Sequence, residues 1–217
     1  MKYKWLNKKE NSKLIIFFNG WGMDEFVINH LECGDYDVLM FYDYNTLKTD
    51  FNFDSLNIYP KKYLVAWSMG VMIATLFDID YISKTAINGT LKPIDDEYGI
   101  PKRIYNLTLK GFSPKGAEKF IKNMFNNDLH LTSTLFSKGE GDVSVKITNR
   151  EFENQKSELE ALTHYKAKED FKYDRIIISK EDKIIPTKNQ SAFWRIEPNL
   201  ESGHCPFYHF KKWSELL

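Results

Sequence analysis

Three short apolar runs in the first third of the chain limit what it can fold into. Residues 14–18, 37–41 and 63–67 read LIIFF, DVLMF and YLVAW, so apolar side chains occupy nearly every position instead of alternating with polar ones. Such runs are typical of parallel strands covered on both faces. Further strand candidates are residues 3–6 (an antiparallel hairpin edge), 86–89, 175–179 and, more weakly, 192–196. The pattern predicts an α/β fold with a mostly parallel sheet of about seven strands.

The composition of the 217 residues is that of a folded chain. Hydrophobic residues make up 42% and aromatic residues 15%, which excludes extensive disorder. The 30 basic and 30 acidic side chains give a formal net charge of zero. A nucleic-acid-binding protein needs a basic surplus, so we expect no nucleic-acid partner.

The sequence lacks the patterns of membrane insertion, secretion and structural metal binding. No apolar run approaches the roughly 20 residues that span a bilayer, and no apolar signal segment is visible. The two cysteines, Cys33 and Cys205, form neither a disulfide framework nor a zinc motif. We therefore expect a soluble, cytoplasmic protein without membrane contact or metal.

Loops replace most of the helices in the predicted core. Residues 43–53 have no helical period, and only residues 71–77 indicate a crossover helix after a strand. The charge-rich middle of the chain differs from this core. We predict a core formed by residues 1–90 and 171–217 and an inserted helical lid formed by residues 91–170.

Two amphipathic helices and a turn are predicted inside the insert. Ser113 is suited to cap the first helix, with Pro114 at its first position, and an apolar stripe follows. The second helix is expected over residues 150–162. The glycine-rich segment 138–142 indicates a turn between them.

The segment Ala66-Trp67-Ser68-Met69-Gly70 carries the strongest chemical signal. It ends a predicted buried strand and precedes an apolar helical run. A serine on such a sharp strand-to-helix turn exposes its hydroxyl as a nucleophile, and small residues two positions away allow the turn; here Ala66 replaces the usual first glycine. Taken alone, the segment also fits a serine that caps a helix.

A serine nucleophile needs an acid and a base, which α/β hydrolases supply in the chain order serine, acid, histidine. Asp182 follows the predicted strand 175–179 after a short turn and begins a D-x-I-x-P segment. This is the expected place of the acid. Glu181 and Asp174 are the rival carboxylates, and a solvated charge cluster is the alternative interpretation.

His204 is the candidate base. It lies on a glycine-containing loop near the C-terminus and is followed closely by proline, a setting suited to reaching back to Ser68. His209 is the alternative, while Cys205 is rejected as a partner of His204 because sequence neighbours point apart. The remaining histidines are interpreted as surface or capping residues: His30, His130 and His164.

The loop Asn19-Gly20-Trp21-Gly22 directly follows the strand 14–18. In esterases of this class, the corresponding loop gives one backbone N–H to the oxyanion hole and the residue after the nucleophile gives the other. These groups would be the N–H groups of Trp21 and Met69. Alone, the loop is more often an ordinary glycine-rich turn.

A basic stripe lies on the first predicted helix of the insert. Lys115, Lys119 and Lys122 have the spacing i, i+4, i+7 and share one face. The ordinary explanation is a solvated lysine face. The alternative is a docking patch for an acidic partner, which would steer the encounter electrostatically.

Taken together, these segments resemble the α/β hydrolases of biotin synthesis, most closely the BioG-type pimeloyl-[acyl-carrier protein] methyl ester esterases, over the whole chain. The matching segments are the N-G-W-G loop, the A-W-S-M-G elbow, the helical insertion, the D-x-I-x-P turn and the G-H-x-P-F ending. One departure is Asn19, because many proteins of the broader fold have histidine at this position. Activity should survive, since the backbone at Trp21 is what matters.

The resemblance implies the α/β-hydrolase fold and hydrolysis of the methyl ester of pimeloyl-[acyl-carrier protein] to pimeloyl-[acyl-carrier protein] and methanol. In the implied mechanism, His204, held by Asp182, deprotonates Ser68, which attacks the ester. The N–H groups of Trp21 and Met69 hold the oxyanion, and no metal or cofactor is required.

The resemblance also implies a helical lid that contacts an acidic acyl carrier protein, which favours the docking role for Lys115, Lys119 and Lys122. Phe120 and Phe125 are candidate walls of the acyl pocket, or plain packing between lid and core. The triad alone leaves open another serine carboxylesterase, an acyl thioesterase, or a non-catalytic binding protein with a hydrolase fold.

Overall fold

A computed structural model describes residues 1–125 and 148–217. Its strands are β1 (Lys2–Asn7), β2 (Lys13–Phe18), β3 (Tyr36–Tyr42), β4 (Lys61–Trp67), β5 (Ser83–Ile87) and β6 (Arg175–Ile177). They form one sheet in the order β1-β3-β2-β4-β5-β6. β1 is antiparallel to β3, and every other neighbouring pair is parallel. The mostly parallel sheet is confirmed, with six strands in the described residues instead of about seven.

Helices are few around this sheet, as the sequence predicts. The α-helices of the described residues are α1 (Gly70–Ile73), α2 (Lys102–Gly111), α3 (Pro114–Met124), α4 (Phe152–Leu162) and α5 (Thr187–Trp194). Short 3-10 helices are Glu25–Val27, Phe53–Ile58, Ala74–Leu76, Phe207–His209 and Trp213–Leu216. Between β3 and β4 the chain forms only loops and one 3-10 helix. None of the helices described is long and apolar enough to cross a membrane.

Strand β2 shows why the unbroken apolar runs form the centre of the sheet. It pairs with β3 on one side and β4 on the other, so its backbone groups are satisfied within the sheet. Leu14, Ile16 and Phe18 pack into the core on one face, while Ile15 and Phe17 pack into the core on the other. All five side chains are completely buried. A strand covered on both faces needs apolar residues at every position.

The predicted strand at 192–196 is wrong. Residues 192–194 end helix α5, which starts after Pro186, and Arg195 closes the helix in a left-handed conformation. A short apolar run fits either a strand or a buried helical turn. Here tertiary contacts decide, because the Trp194 indole N–H donates to the Gly89 carbonyl at 2.8 Å.

The predicted edge strand at 3–6 exists, but its partner differs from a simple hairpin. β1 pairs with β3 rather than with the adjacent β2. Because β2 already has β3 and β4 as neighbours, the free side of β3 is the edge available to β1. The result is an antiparallel edge on an otherwise parallel sheet.

Helices α2, α3 and α4 all fall within the predicted insert, in the chain between β5 and β6. The cap at Ser113 is confirmed, since its hydroxyl accepts the Gly116 N–H at 3.2 Å, and Pro114 begins the helix. The helix predicted over 150–162 begins at Phe152. The turn at 138–142 and His130 lie outside the described residues. The division into core and lid stays a prediction.

Candidate active site

Ser68 occupies the sharp turn between β4 and α1. Its φ of 56° lies in the left-handed region, which a non-glycine residue adopts only where the surroundings enforce it. The Ser68 N–H donates to the Ile87 carbonyl at 2.9 Å, and its own carbonyl accepts the Val71 N–H at 3.1 Å. The backbone therefore passes from strand to helix at a strained residue whose position is fixed on both sides.

Two glycines allow this turn to pack tightly. A Cβ on Gly70 would lie 2.3 Å from the Phe18 carbonyl oxygen, so α1 can approach the end of β2 only without a side chain there. A Cβ on Gly89 would lie 2.5 Å from the Ser68 carbonyl oxygen. Glycine two positions after the serine is thus a steric requirement of this turn.

Ser68, His204 and Asp182 form one hydrogen-bonded line. The distance from His204 Nε2 to Ser68 Oγ is 2.9 Å, and the distance from His204 Nδ1 to Asp182 Oδ2 is 2.7 Å. All three residues are buried, with 6% or less of their surface exposed. This arrangement allows the imidazole to accept the serine proton while the carboxylate fixes its tautomer.

The Asp182 carboxylate has a full set of hydrogen-bond donors. Its Oδ1 accepts the N–H groups of Ile184 and Ile185 at 2.8 and 3.0 Å, and its Oδ2 also accepts the Gln190 amide at 2.8 Å. These contacts aim the carboxylate at His204. Gln190 on helix α5 carried no recognisable signal in the sequence.

The backbone of His204 is fixed by two side chains from the strand ends. The Trp67 indole N–H and the Asn88 amide donate to the His204 carbonyl at 2.8 and 2.9 Å. Asn88 also donates to Ser179 Oγ and accepts the Ser179 N–H, both at 2.8 Å. It therefore joins the ends of β5 and β6 to the histidine loop. Sequence reasoning missed Asn88, although a polar residue directly after a buried strand is a signal for such a role.

The rival residues lie away from this line. Glu181 is exposed, and Asp174 accepts the Lys84 N–H at the start of β5, far along the sheet from the strand ends. His209 is exposed at the end of a 3-10 helix. Cys205 is a buried free thiol whose pKa is raised by burial, so it is not a thiolate nucleophile.

The loop after β2 packs against the turn that carries Ser68, since a Cβ on Gly70 would lie 2.6 Å from the Asn19 carbonyl oxygen. The side chain of Asn19 shapes this loop, since its oxygen accepts the Gly20 N–H and its nitrogen donates to the Asp24 carbonyl, each at 2.8 Å. Gly22 has a φ of 73° and donates its N–H to Glu158. In the described part of the chain, the N–H groups of Trp21 and Met69 have no protein acceptor.

A cavity of about 400 Å³ opens onto Ser68 and His204. Trp21 and Met69 line it beside the serine, and helices α2, α3 and α4 add mostly apolar walls. The wall residues from these helices and from the link between α2 and α3 include Ile104, Tyr105, Leu107, Phe112, Phe120 and Leu159. The cavity can hold an apolar chain with a reactive group at the serine.

Only some of the predicted pocket and docking residues line the cavity. Phe120 lines the cavity and lies 4.9 Å from the Trp21 ring, whereas Phe125 is buried against Tyr208 and is not part of the cavity wall. Lys115, Lys119 and Lys122 are exposed on α3. Among these three, Lys119 also lines the cavity, and Lys122 pairs with Glu118 at 2.6 Å. The described residues contain no cluster of metal-ligating side chains.

Solved structures show the class of this fold. An α/β hydrolase enzyme from a Medee basin deep-sea metagenome library superposes with a TM-score of 0.59 at 18% identity, covering 96% of this chain and 88% of that one. At this identity the likeness shows the fold alone. Together with the strained serine after β4, it defines the class: the chain has the α/β-hydrolase fold.

Two further comparisons identify the family within this fold class. The family model described as pimeloyl-ACP methyl esterase BioG matches residues 1–216. The crystal structure of BioG from Haemophilus influenzae superposes with a TM-score of 0.85 at 32% identity, covering 100% of this chain and 99% of that one. The chain belongs to the pimeloyl-ACP methyl esterase BioG family. The prediction of an esterase of this family is confirmed.

A curated relative is considerably longer than this chain. Malonyl-[acyl-carrier protein] O-methyltransferase from Bacteroides fragilis is 33% identical over 188 residues. The match covers 83% of this chain but 36% of that protein, so more than half of its length lies outside the similarity.

Proposed function

We propose that Ser68, His204 and Asp182 are the nucleophile, base and acid of a serine esterase that hydrolyses the methyl ester of pimeloyl-[acyl-carrier protein]. The single observation that carries this proposal is their hydrogen-bonded line, with distances of 2.9 and 2.7 Å, in which Ser68 and His204 line a mostly apolar cavity. Nothing in this chemistry needs a cofactor.

In the first half of the reaction, Ser68 Oγ attacks the ester carbonyl carbon while His204 Nε2 takes the serine proton. The negative charge on the carbonyl oxygen is held by the N–H groups of Trp21 and Met69. The C–O bond to the methoxy group breaks, and His204 returns the proton to the leaving methanol. The product at this stage is an acyl-enzyme.

In the second half, water takes the place of methanol. His204 removes a proton from the water, which attacks the acyl carbon, and the same two N–H groups hold the charge. The bond to Ser68 breaks and the serine is reprotonated. Asp182 stays ionised throughout and stabilises the imidazolium.

The cavity suits a substrate that enters with its ester end first. The aliphatic part of the pimeloyl chain would contact the apolar walls, with Phe120 as one of them, while the carrier protein stays outside. Ile104 and Leu107 of α2 line the cavity and are 51% and 57% exposed, which fits a mouth where the chain passes from solvent to the interior.

The partner in this proposal is an acyl carrier protein with acidic surface groups. Lys115, Lys119 and Lys122 on α3 are exposed, and Lys119 reaches the cavity wall. A basic face beside the mouth would orient the carrier so that its attached chain enters the cavity.

The test uses pimeloyl-[acyl-carrier protein] methyl ester with the purified protein. We expect release of methanol and formation of pimeloyl-[acyl-carrier protein], resolved from the ester by a gel shift. Free pimelate monomethyl ester would instead identify a thioesterase. Ser68→Ala is the matched control, and hydrolysis by this variant at the wild-type rate would contradict the assigned nucleophile.

A further inference from the structure

Glu158 on helix α4 is a completely buried carboxylate that the reaction itself does not use. One oxygen accepts the Gly22 N–H at 3.0 Å and the other accepts the Tyr44 N–H at 2.7 Å. Arg150 pairs with the same carboxylate. Burying an ionised group is costly, and it is retained only where several partners satisfy it.

The hydrogen bond from Gly22 to Glu158 matters because of the place of Gly22 in the loop after β2. Gly22 directly follows Trp21, which lines the cavity, and Gly20 directly precedes it. The Gly20 N–H is held by Asn19 and the Gly22 N–H by Glu158, so the amides on both sides of Trp21 have fixed acceptors. Only the Glu158 acceptor comes from another part of the chain, 136 residues away.

Helix α4 holds the same loop at a second point. The Trp21 indole N–H donates to the Gln155 carbonyl at 2.7 Å. The backbone after Trp21 and its side chain are therefore both attached to one helix. The Gly20 carbonyl, which belongs to the same peptide as the Trp21 N–H, accepts the Met23 N–H at 3.4 Å. Gly22 lies inside this turn, so the contact between Gly22 and Glu158 holds the turn that orients the Trp21 N–H.

Nearby cations compensate the negative charge of Glu158. Arg150 bridges Glu158 and Asp43, with 3.2 Å between Arg150 and Asp43, and Lys2 pairs with Asp43 at 2.9 Å. The Met1 ammonium also attracts both carboxylates. Burial raises the pKa of Glu158, whereas Arg150 and the two backbone N–H groups favour its ionised form. The cluster therefore adds no net negative charge beside an oxyanion.

We propose that Glu158 is a positioning residue for the oxyanion hole: by accepting the Gly22 N–H, it holds the Trp21 N–H in the direction of the developing negative charge. The proposal rests on the proposed function, because it concerns the same oxyanion. Glu158 touches no reacting atom. Its effect on rate comes from the orientation of the Trp21 amide.

The expected size of the effect follows from the role of that amide. Loss of one oxyanion donor lowers turnover by about 10²–10³, and a displacement of about 1 Å lowers it by about 10². Glu158→Gln keeps the shape and one acceptor oxygen but must turn an NH₂ group toward Gly22 or Tyr44. We expect turnover to fall by about tenfold to a hundredfold, with little change in ground-state binding.

The experiment measures kcat and KM on p-nitrophenyl acetate, per active site counted by fluorophosphonate titration. It also measures inhibition by a trifluoromethyl ketone, which forms an oxyanion on Ser68. In Glu158→Gln we expect lower kcat, nearly unchanged KM, and weaker inhibition by a similar factor. A purely structural role would lower the number of titratable sites and leave kcat per site unchanged.

Two further variants keep the test decisive. Glu160→Gln makes the same change at an exposed position of α4 and should match the wild type. In Glu158→Gln the Arg150 cation loses one of its two carboxylate partners and keeps only Asp43. Combining Glu158→Gln with Arg150→Met removes that cation, so folding is restored if the cation is the problem, while kcat stays low. A kcat per titrated site within about twofold of the wild type in either Glu158 variant overturns the proposal. Wild-type activity in Ser68→Ala would instead refute the proposed function, whatever Glu158 does.

Discussion

His204 Nε2 lies 2.9 Å from Ser68 Oγ, although 136 positions separate the two residues in the chain. The parallel sheet explains this proximity. The carboxyl ends of β4 and β5 are adjacent, because Trp67 pairs with Ile87, and Asn88 directly after β5 donates to the His204 carbonyl at 2.9 Å. The loops that follow these parallel strands therefore gather at one edge, which is where open α/β sheets bind ligands.

The first prediction concerns the strain at Ser68. Ser68→Ala and Ser68→Gly should both lower hydrolysis by at least about 10⁴-fold, since each removes the nucleophile. Ser68→Gly should also be more stable than Ser68→Ala by about 1 kcal/mol, because glycine adopts the φ of 56° without steric cost. Ester hydrolysis and thermal unfolding measure the two effects. Equal stability of the two variants would mean that the turn is not strained.

The second prediction separates Asp182 from its neighbour. Asp182→Asn should lower kcat by about 10⁴-fold, because an amide nitrogen facing Nδ1 of His204 favours the wrong tautomer. Glu181→Gln, an exposed and adjacent change, should leave kcat unchanged. The measurement is hydrolysis of a soluble ester at neutral pH. A larger loss in the Glu181 variant would reassign the acid.

The third prediction tests the steric requirement at Gly70. Gly70→Ala places a Cβ 2.3 Å from the Phe18 carbonyl oxygen, so β2 and α1 must move apart. We expect a loss of about 3 kcal/mol or more in the free energy of unfolding. Gly111→Ala is the control, since a Cβ there has no atom within 4 Å. Denaturant unfolding measures the free energy of unfolding of both variants. Similar values would contradict the packing argument.

The fourth prediction concerns the basic stripe. Lys115→Glu combined with Lys122→Glu should lower kcat/KM on the carrier-bound ester by about tenfold at low salt, because a repulsive face replaces an attractive one. Hydrolysis of p-nitrophenyl acetate should not change, and added salt should reduce the difference. Equal losses on both substrates would show that the lysines act on folding or on the site itself.

Local sequence patterns were sufficient to predict the central strands and the order of nucleophile, acid and base along the chain. The runs at 14–18, 37–41 and 63–67 are apolar at nearly every position, which is typical of strands buried on both faces. The pattern of the run at 192–196 does not distinguish a strand from a buried helical turn. Its residues belong to α5 because Trp194 hydrogen-bonds to the Gly89 carbonyl, a contact that local propensity does not contain.

The sequence by itself determined the parallel core, the turn that carries Ser68, and the candidates Asp182 and His204, because each depends on a pattern within a few neighbouring residues. Only the tertiary structure decided which groups hold that site in place. Asn88 and Glu158 act through partners 91 to 136 positions away, and such pairs leave no periodic trace in a single sequence. The free energy of a buried hydrogen bond depends on which segments meet, and folding alone brings those segments together.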